Sequence, residues 1–143
     1  MANESWVGFA KSPKPDDSLQ AVSVSREFDT TLSMVELFTL ATSAEGMSGW
    51  LAKTLNSDVR TSGKVEFLID GESKPALFSS VDLGKLAVLN SETFGEIIFK
   101  FRQGKSLSTV SISFSKLVEP SDKEGFLDKV ISSLARFAEV LVR

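Results

Sequence analysis

Apolar and polar residues alternate with a period of two over much of the sequence, a pattern typical of strands with one buried face. The two clearest segments run from Gln20 to Phe28 and from Leu107 to Leu117. Four segments between them follow the same pattern: Lys64 to Ile69, Ala76 to Asp82, Lys85 to Asn90 and Glu96 to Arg102. Because short glycine-containing turns separate the last five of these segments, the sequence predicts an antiparallel meander.

Helical spacing replaces the alternation twice after the first predicted strand. Apolar residues from Leu32 to Ala41 predict one short helix, with Thr30 or Thr31 as its cap. The series Thr42-Ser43-Ala44-Glu45 matches a capping box and predicts a second short helix that ends near Trp50.

A third and longer helix is predicted over residues 122 to 143. Ser121-Asp122-Lys123-Glu124 again matches a capping box, and about 22 residues would extend ~33 Å. Seven apolar residues share one stripe of this helix: Leu127, Val130, Ile131, Leu134, Phe137, Ala138 and Leu141. The pattern therefore predicts an α+β domain whose strands close around this helix.

Residues 1 to 18 differ from the rest of the chain. Pro13 and Pro15 lie in a polar stretch that disfavours both helix and sheet. We predict a flexible tail over 1–18 and a single domain over 19–143. Trp6 and Phe9 are unusual in a tail, and two interpretations stay open. They dock on the surface of the domain, or they engage a partner or the mouth of a cavity.

Length and charge limit the partners and the cellular location that we expect. The chain has 143 residues and a net charge of −3, which gives no electrostatic reason to expect nucleic acid or an anionic membrane as a partner. No apolar run is long enough to cross a bilayer, and the first residues do not match a secretory signal. We expect a cytoplasmic protein, either monomer or homodimer, with no membrane or nucleic-acid partner.

The sequence contains no Cys, no His and no Tyr. Disulfides, thiolate ligands and the commonest general base and metal ligand are therefore excluded. Glu27, Glu66 and Asp70 supply carboxylates, but no pattern fixes two of them at a catalytic separation. We expect no enzyme activity, no cofactor and no metal.

The order of predicted elements resembles the helix-grip fold of the START-like (SRPBCC) superfamily, and within it the activator-of-heat-shock-protein-ATPase homologue family. Five segments carry the resemblance: Val22-x-Val24-x-Arg26-x-Phe28, Leu37-Phe38 through Trp50-Leu51, Asp58 to Phe67, Gly104 to Phe114, and Gly125-Phe126. It implies a curved antiparallel sheet of six or seven strands around the C-terminal helix, with two short helices after the first strand. It implies no catalytic motif.

Large aromatic residues fall on the predicted inward faces of the elements. They are Phe38, Trp50, Phe67, Phe78, Phe99, Phe101 and Phe137. Each either packs in an ordinary core or lines a cavity between sheet and helix, and Trp50 is the strongest candidate for a ligand contact. Arg26 and Arg60 are the candidates for orienting the polar end of a ligand. Asp82 is a possible partner for Arg26, whose alternative is to extend into solvent along its own stem.

Two functions follow as expectations. The leading one is binding of a hydrophobic or amphipathic small molecule in a cavity between the sheet and the C-terminal helix. The alternative is a protein-interaction or chaperone-accessory module of the stress response. In that case the predicted Ser/Thr face of the last strand, together with Trp6 and Phe9, would make the contact.

Overall fold

The alternating segments form one antiparallel sheet in the computed structural model, which describes residues 19 to 142. The tail predicted over 1–18 lies outside the described residues. In chain order the strands are β1 (Gln20–Thr30), β2 (Thr54–Ser57), β3 (Lys64–Ile69), β4 (Glu72–Asp82), β5 (Leu86–Ser91), β6 (Gly95–Gln103) and β7 (Ser108–Val118). The predicted fold class is confirmed.

Six of the strands follow one another as a meander, and β1 then pairs with the last of them. The order across the sheet is β1-β7-β6-β5-β4-β3-β2. β1 and β7 pair over their full lengths, from Gln20 opposite Val118 to Thr30 opposite Ser108. The hairpin between β3 and β4 turns at Asp70-Gly71, where both residues have positive φ, as a two-residue hairpin turn requires.

The helices are α1 (Met34–Thr42), α2 (Ala44–Trp50) and α3 (Lys123–Leu141). The predicted caps of α1 and α2 were wrong by one to three positions. Ser33 caps α1 and forms a reciprocal capping box with Glu36. Ser43 caps α2 by accepting from the amide of Gly46, and the hydroxyl of Thr42 instead donates to the carbonyl of Phe38. A serine close to each predicted cap takes the extended backbone conformation that capping needs.

The capping box predicted for α3 does not form. Residues Pro120–Asp122 make a 3-10 turn that runs directly into the helix, and Asp122 has a helical backbone with no side-chain cap bond. α3 therefore has 19 residues, about 28 Å at ~1.5 Å per residue. Ile131, placed on the apolar stripe by the sequence, is 55% exposed, while Phe126 and Ser133 are buried.

The three helices cover one face of the sheet, and that face carries the core. Its buried residues come from alternate positions of the strands: Val65, Phe67, Ala76, Phe78, Ala87, Leu89, Ile97, Phe99, Val110, Ile112 and Phe114. α3 packs mainly on β1 and also contacts β7 and α2. We call the helix-covered side the inner face and the opposite side the outer face.

A β-bulge in β4 changes which side chains face inward. Phe78 pairs with Leu89, but Ser80 pairs with Val88, so Ser79 is the extra residue. Beyond such a bulge the alternation is shifted by one position. Asp82 is consequently exposed and does not share the inner face with Phe78, contrary to the phase predicted from the sequence.

Candidate functional site

The seven aromatic candidates are all buried, and they meet one another in the space between sheet and helices. Trp50, Phe67, Phe78, Phe99 and Phe137 have no exposed surface, and Phe38 and Phe101 are at most 8% exposed. As members of the core they are where the sequence places them. Their role as ligand contacts stays a prediction.

Trp50 lies at the centre of a continuous series of aromatic contacts. Its ring centroid is 5.0 Å from that of Phe137 on α3 and 6.0 Å from that of Phe99 on β6, both edge-to-face. Phe137 in turn lies 5.0 Å from Phe28 on β1, and Phe101 lies 4.9 Å from Phe38 on α1. These rings bridge the sheet and the helices, so side chains fill this part of the interior.

A second aromatic cluster lies nearer the β5–β6 turn. Phe94 packs edge-to-face against Phe67 at 5.6 Å and against Phe114 at 6.3 Å. The sequence analysis missed Phe94 because it belongs to a turn, Ser91 to Gly95, in which strand periodicity is lost. The amide of Phe94 donates to the hydroxyl of Ser91, and this bond folds the ring back over the core.

The indole N–H of Trp50 is buried and has no hydrogen-bond acceptor within the part of the chain that the structure describes. Buried donors are nearly always paired, and leaving one unpaired costs about 1–3 kcal/mol. Among the side chains of residues 19 to 142, this N–H is therefore the group in the aromatic interior that a ligand or a water molecule could satisfy.

Arg136 lies beside Trp50 and was not identified from the sequence. Its Nε donates to the backbone carbonyl of Trp50 at 3.1 Å, and its Nη2 donates to Oγ of Ser133 at 3.2 Å. Ser133 is fully buried, whereas Arg136 reaches solvent. In the sequence Arg136 resembles any other residue of the polar face of α3. Only the three-dimensional approach of α2 reveals the contact.

The two arginines predicted from the sequence do not reach this interior. Arg26 is exposed at the edge strand, and its guanidinium carbon lies 4.9 Å from the ring centroid of Phe28. Arg60 is 76% exposed and pairs with Asp58 at 2.8 Å. No ion pair among the described residues joins Arg26 to Asp82. The bulge turns Asp82 away from the inner face, and three strands separate β1 from β4 in the sheet.

The three carboxylates named from the sequence have different surroundings. Glu66 accepts from Asn56 at 2.9 Å and from Ser73. Glu27 is 3.8 Å from Arg102 on the outer face, and Asp70 is a turn residue at the surface. Groups of three or more potential metal ligands are absent from residues 19 to 142.

The outer face carries an open groove at one end of the sheet. It crosses the strands from β7 to β3, and we call it the outer-face groove. Its lining includes Pro75, Leu77, Asn90, Glu92, Glu96 and Leu117. Beside the groove, β1 and β7 carry a serine ladder on the outer face, in which Oγ of Ser25 and Oγ of Ser113 lie 2.6 Å apart.

No family model matches this sequence, and no curated protein matches it. Solved structures with the same fold do exist. A Colwellia psychrerythraea protein, solved as the Aha1 dimer, has 15% sequence identity and a TM-score of 0.62. The alignment covers 84% of this chain and 96% of that one.

Two other similar structures extend the comparison. The Bacillus halodurans protein BH1534 gives a TM-score of 0.70 at 11% identity, over 87% of this chain and 99% of that one. An uncharacterized protein from Rhizobium leguminosarum gives 0.66 at 14% identity, over 88% and 97%. The likeness to these structures, one of them the Aha1 dimer, confirms the predicted helix-grip resemblance at the level of fold. No described helix is long and apolar enough to span a membrane.

Proposed function

We propose that this chain is a cytoplasmic binding domain without catalytic activity, and that its ligand is an amphipathic small molecule bound between the sheet and α3 at Trp50. The observation that carries the proposal is the buried indole N–H of Trp50, which lacks an acceptor among the described residues. A ligand oxygen placed there would complete the hydrogen bonding of the interior.

Arg136 supplies the charge that such a ligand would meet. Its guanidinium is already positioned by the carbonyl of Trp50 and by Ser133, and part of it faces solvent. Guanidinium groups bind carboxylates and similar anions in well-defined geometry. We therefore propose that the ligand has an anionic or strongly polar head at Arg136 and an apolar body among the aromatic rings.

Binding of an apolar body requires the rings to separate. Trp50 is the last residue of α2, and Gly49 before it is exposed. Within residues 19 to 142, only Val140 of α3 comes near the position of a Cβ atom at Gly49. The end of α2 is therefore the place where a small outward movement would admit a ligand beside α3. Each 100 Å² of apolar ligand surface buried would contribute about 2.5 kcal/mol toward that movement.

The test is binding of two amphipathic anions, dodecanoate and 1-anilinonaphthalene-8-sulfonate, measured by calorimetry and by fluorescence. We expect Trp50→Phe, which keeps an aromatic ring and removes the donor, to weaken binding about tenfold, equivalent to about 1.4 kcal/mol. Arg136→Gln should weaken binding of both anions to a similar extent.

Two matched variants separate these effects from general damage. Phe94→Leu alters the second aromatic cluster, whose ring contacts do not include Trp50, and Arg102→Gln removes an exposed guanidinium on the outer face. Both should bind the anions like the unmodified chain. If the unmodified chain binds neither anion, or if all four variants bind equally, the interior is a structural core and the proposal fails.

Protein interaction is the second candidate, favoured by the solved Aha1 dimer among the similar structures. Of the two faces of the sheet, the outer one is open to such a contact, because helices cover the inner one. Light scattering across a hundredfold range of concentration distinguishes monomer from homodimer. A strictly monomeric chain that also retains no protein partner on an affinity column excludes this candidate.

A further inference from the structure

We propose that residues 1 to 18 of this same chain occupy the outer-face groove, with Trp6 and Phe9 against its leucines. The proposal is independent of the ligand site at Trp50, because the groove lies on the opposite face of the sheet. It rests on the point where the described chain begins, on the length of the segment, and on the order of charges along both.

The described chain begins beside the groove. Leu19 lines a small hollow together with Lys116, Leu117, Phe126 and Lys129. Lys116 and Leu117 also line the outer-face groove, so the hollow and the groove adjoin at these two residues. A segment that leaves Leu19 therefore starts at the β7 end of the groove.

The segment is long enough to cross it. Neighbouring strands lie about 4.8 Å apart, so the four spacings from β7 to β3 amount to roughly 19 Å. Phe9 is ten residues from Leu19 and Trp6 is thirteen, which allows up to about 33 Å and 43 Å. Both aromatic residues can reach the far side of the groove without full extension.

The groove offers apolar surface that the described chain leaves uncovered. Leu117 is 63% exposed and Leu77 is 42% exposed, and Pro75 lies close to Leu77 on β4. Large apolar side chains that line one concave surface indicate an interaction site more strongly than isolated ones do. Trp6 and Phe9 are the aromatic residues of the segment, and they are the groups that such a surface binds best.

The order of charges along the segment is complementary to the order of charges along its path. From Leu19 outward come Asp17 and Asp16, then Lys14 and Lys11. The path first passes Lys116 and Lys129 in the hollow, which also contains Glu119 and Asp122. It then passes three carboxylates of the groove, on Glu66, Glu92 and Glu96, with Lys64 beyond them.

The test uses the indole N–H resonances of the full chain in two-dimensional NMR. The sequence has two tryptophans, so the Trp6 signal is the one that disappears on deletion of residues 1 to 18. We expect Leu117→Glu to move the Trp6 signal to the position of an unstructured tryptophan. Leu83→Glu, a matched change at a 72% exposed leucine in the β4–β5 turn, should leave it unchanged.

Deletion of residues 1 to 18 provides the reciprocal readout. We expect the amide signals of Leu77, Glu96 and Leu117 to shift on deletion, whereas those of the serine ladder stay in place. A Trp6 signal already at the unstructured position, or unchanged groove amides after deletion, overturns the proposal. A Trp6 shift that disappears on dilution also overturns it, because the occupant would then be the segment of a second copy.

A charge exchange tests the proposed register. Lys11→Glu with Lys14→Glu should move the Trp6 signal toward the unstructured position, and Glu92→Lys with Glu96→Lys should restore it. If neither pair of substitutions moves the Trp6 signal, charge does not position the segment, and the proposed order of contacts is wrong.

Discussion

The two faces of the sheet are built from the same strands but are stabilised differently. On β6, Phe99 is fully buried against Trp50, while the next residue, Lys100, is exposed on the outer face. Among the described residues, the inner face consists of interlocking rings around the unpaired indole N–H. The outer face consists of serine pairs, charges and an open groove. Substitutions that remove side-chain atoms should therefore lower the free energy of unfolding on the inner face and leave it mostly unchanged on the outer one.

Neighbouring residues of β6 give the largest expected contrast. Phe99→Ala should lower the free energy of unfolding by about 3–5 kcal/mol, because it leaves a cavity between Trp50 and Phe101. Lys100→Ala, one position away, should change it by less than about 0.5 kcal/mol. Urea unfolding followed by circular dichroism measures both. Similar losses for the two variants would mean that the two faces do not differ as the structure indicates.

Thr109 is an exception on the outer side of β7 and gives a medium effect. It is only 6% exposed, and its hydroxyl donates to the carboxylate of Asp29 at 2.7 Å. Thr109→Val keeps the shape and removes this bond, so we expect a loss of about 1 kcal/mol. Ser115→Ala on the exposed part of the same strand is the control, with less than about 0.5 kcal/mol expected. Equal losses for the two variants would mean that Thr109 stabilises the fold no more than other residues of the outer face.

Strand alternation was sufficient to predict six of the seven strands, since these show their buried face in every second residue. It missed β2, which has four residues and no regular alternation of buried and exposed positions. The helix caps were not predictable to the residue, because Thr30, Thr31 and Thr42 have the same capping chemistry as Ser33 and Ser43. The choice between them depends on where the backbone becomes extended. Sequence periodicity is a local signal, and the bulge at Ser79 interrupted it without any glycine or proline to mark the position.

The candidate site was predictable only in its apolar part. The aromatic residues were found from their phase, but their mutual contacts depend on how α2 and α3 cross the sheet. Arg136 meets Trp50 across 86 residues of sequence, and no local pattern indicates that contact. Of the two alternatives for Arg26, the pairing with Asp82 relied on a strand phase that the bulge removes.

A double-mutant cycle between Arg26 and Asp82 tests this correction. In the structure the two residues belong to different sides of the sheet, so the effects of Arg26→Ala and Asp82→Ala on stability should add to within about 0.5 kcal/mol. Arg26→Ala alone should cost a similar small amount through loss of its contact with Phe28. A coupling energy above about 1 kcal/mol would favour the ion pair, the alternative that the structure does not show.

The smallest expected effect concerns the cap of α1, which faces solvent. The backbone amide of Ser33 donates to the carboxylate of Glu36, and this bond lowers the pKa of Glu36 below its ordinary value of 4.5. The side chain of Ser33 lowers the pKa further, by a smaller amount. A lowered pKa in the folded state means that the carboxylate stabilises the fold above its ordinary pKa, and that this contribution is lost as the pH falls through the folded value. Glu36→Gln should therefore be slightly less stable than the unmodified chain near neutral pH.

The difference between the two proteins should shrink as the medium becomes acidic, because protonation of Glu36 leaves an uncharged side chain at this position in both. Urea midpoints measured from pH ~7 to ~3 follow this convergence. Glu45→Gln in the first turn of α2 controls for removal of a carboxylate near a helix N-terminus without a reciprocal capping box. If the midpoints of the Glu36 variant and the unmodified chain stay parallel across this range, the bond to Ser33 does not stabilise the charged form. The solvent-facing side of the molecule would then contribute even less than the comparison of the two faces implies.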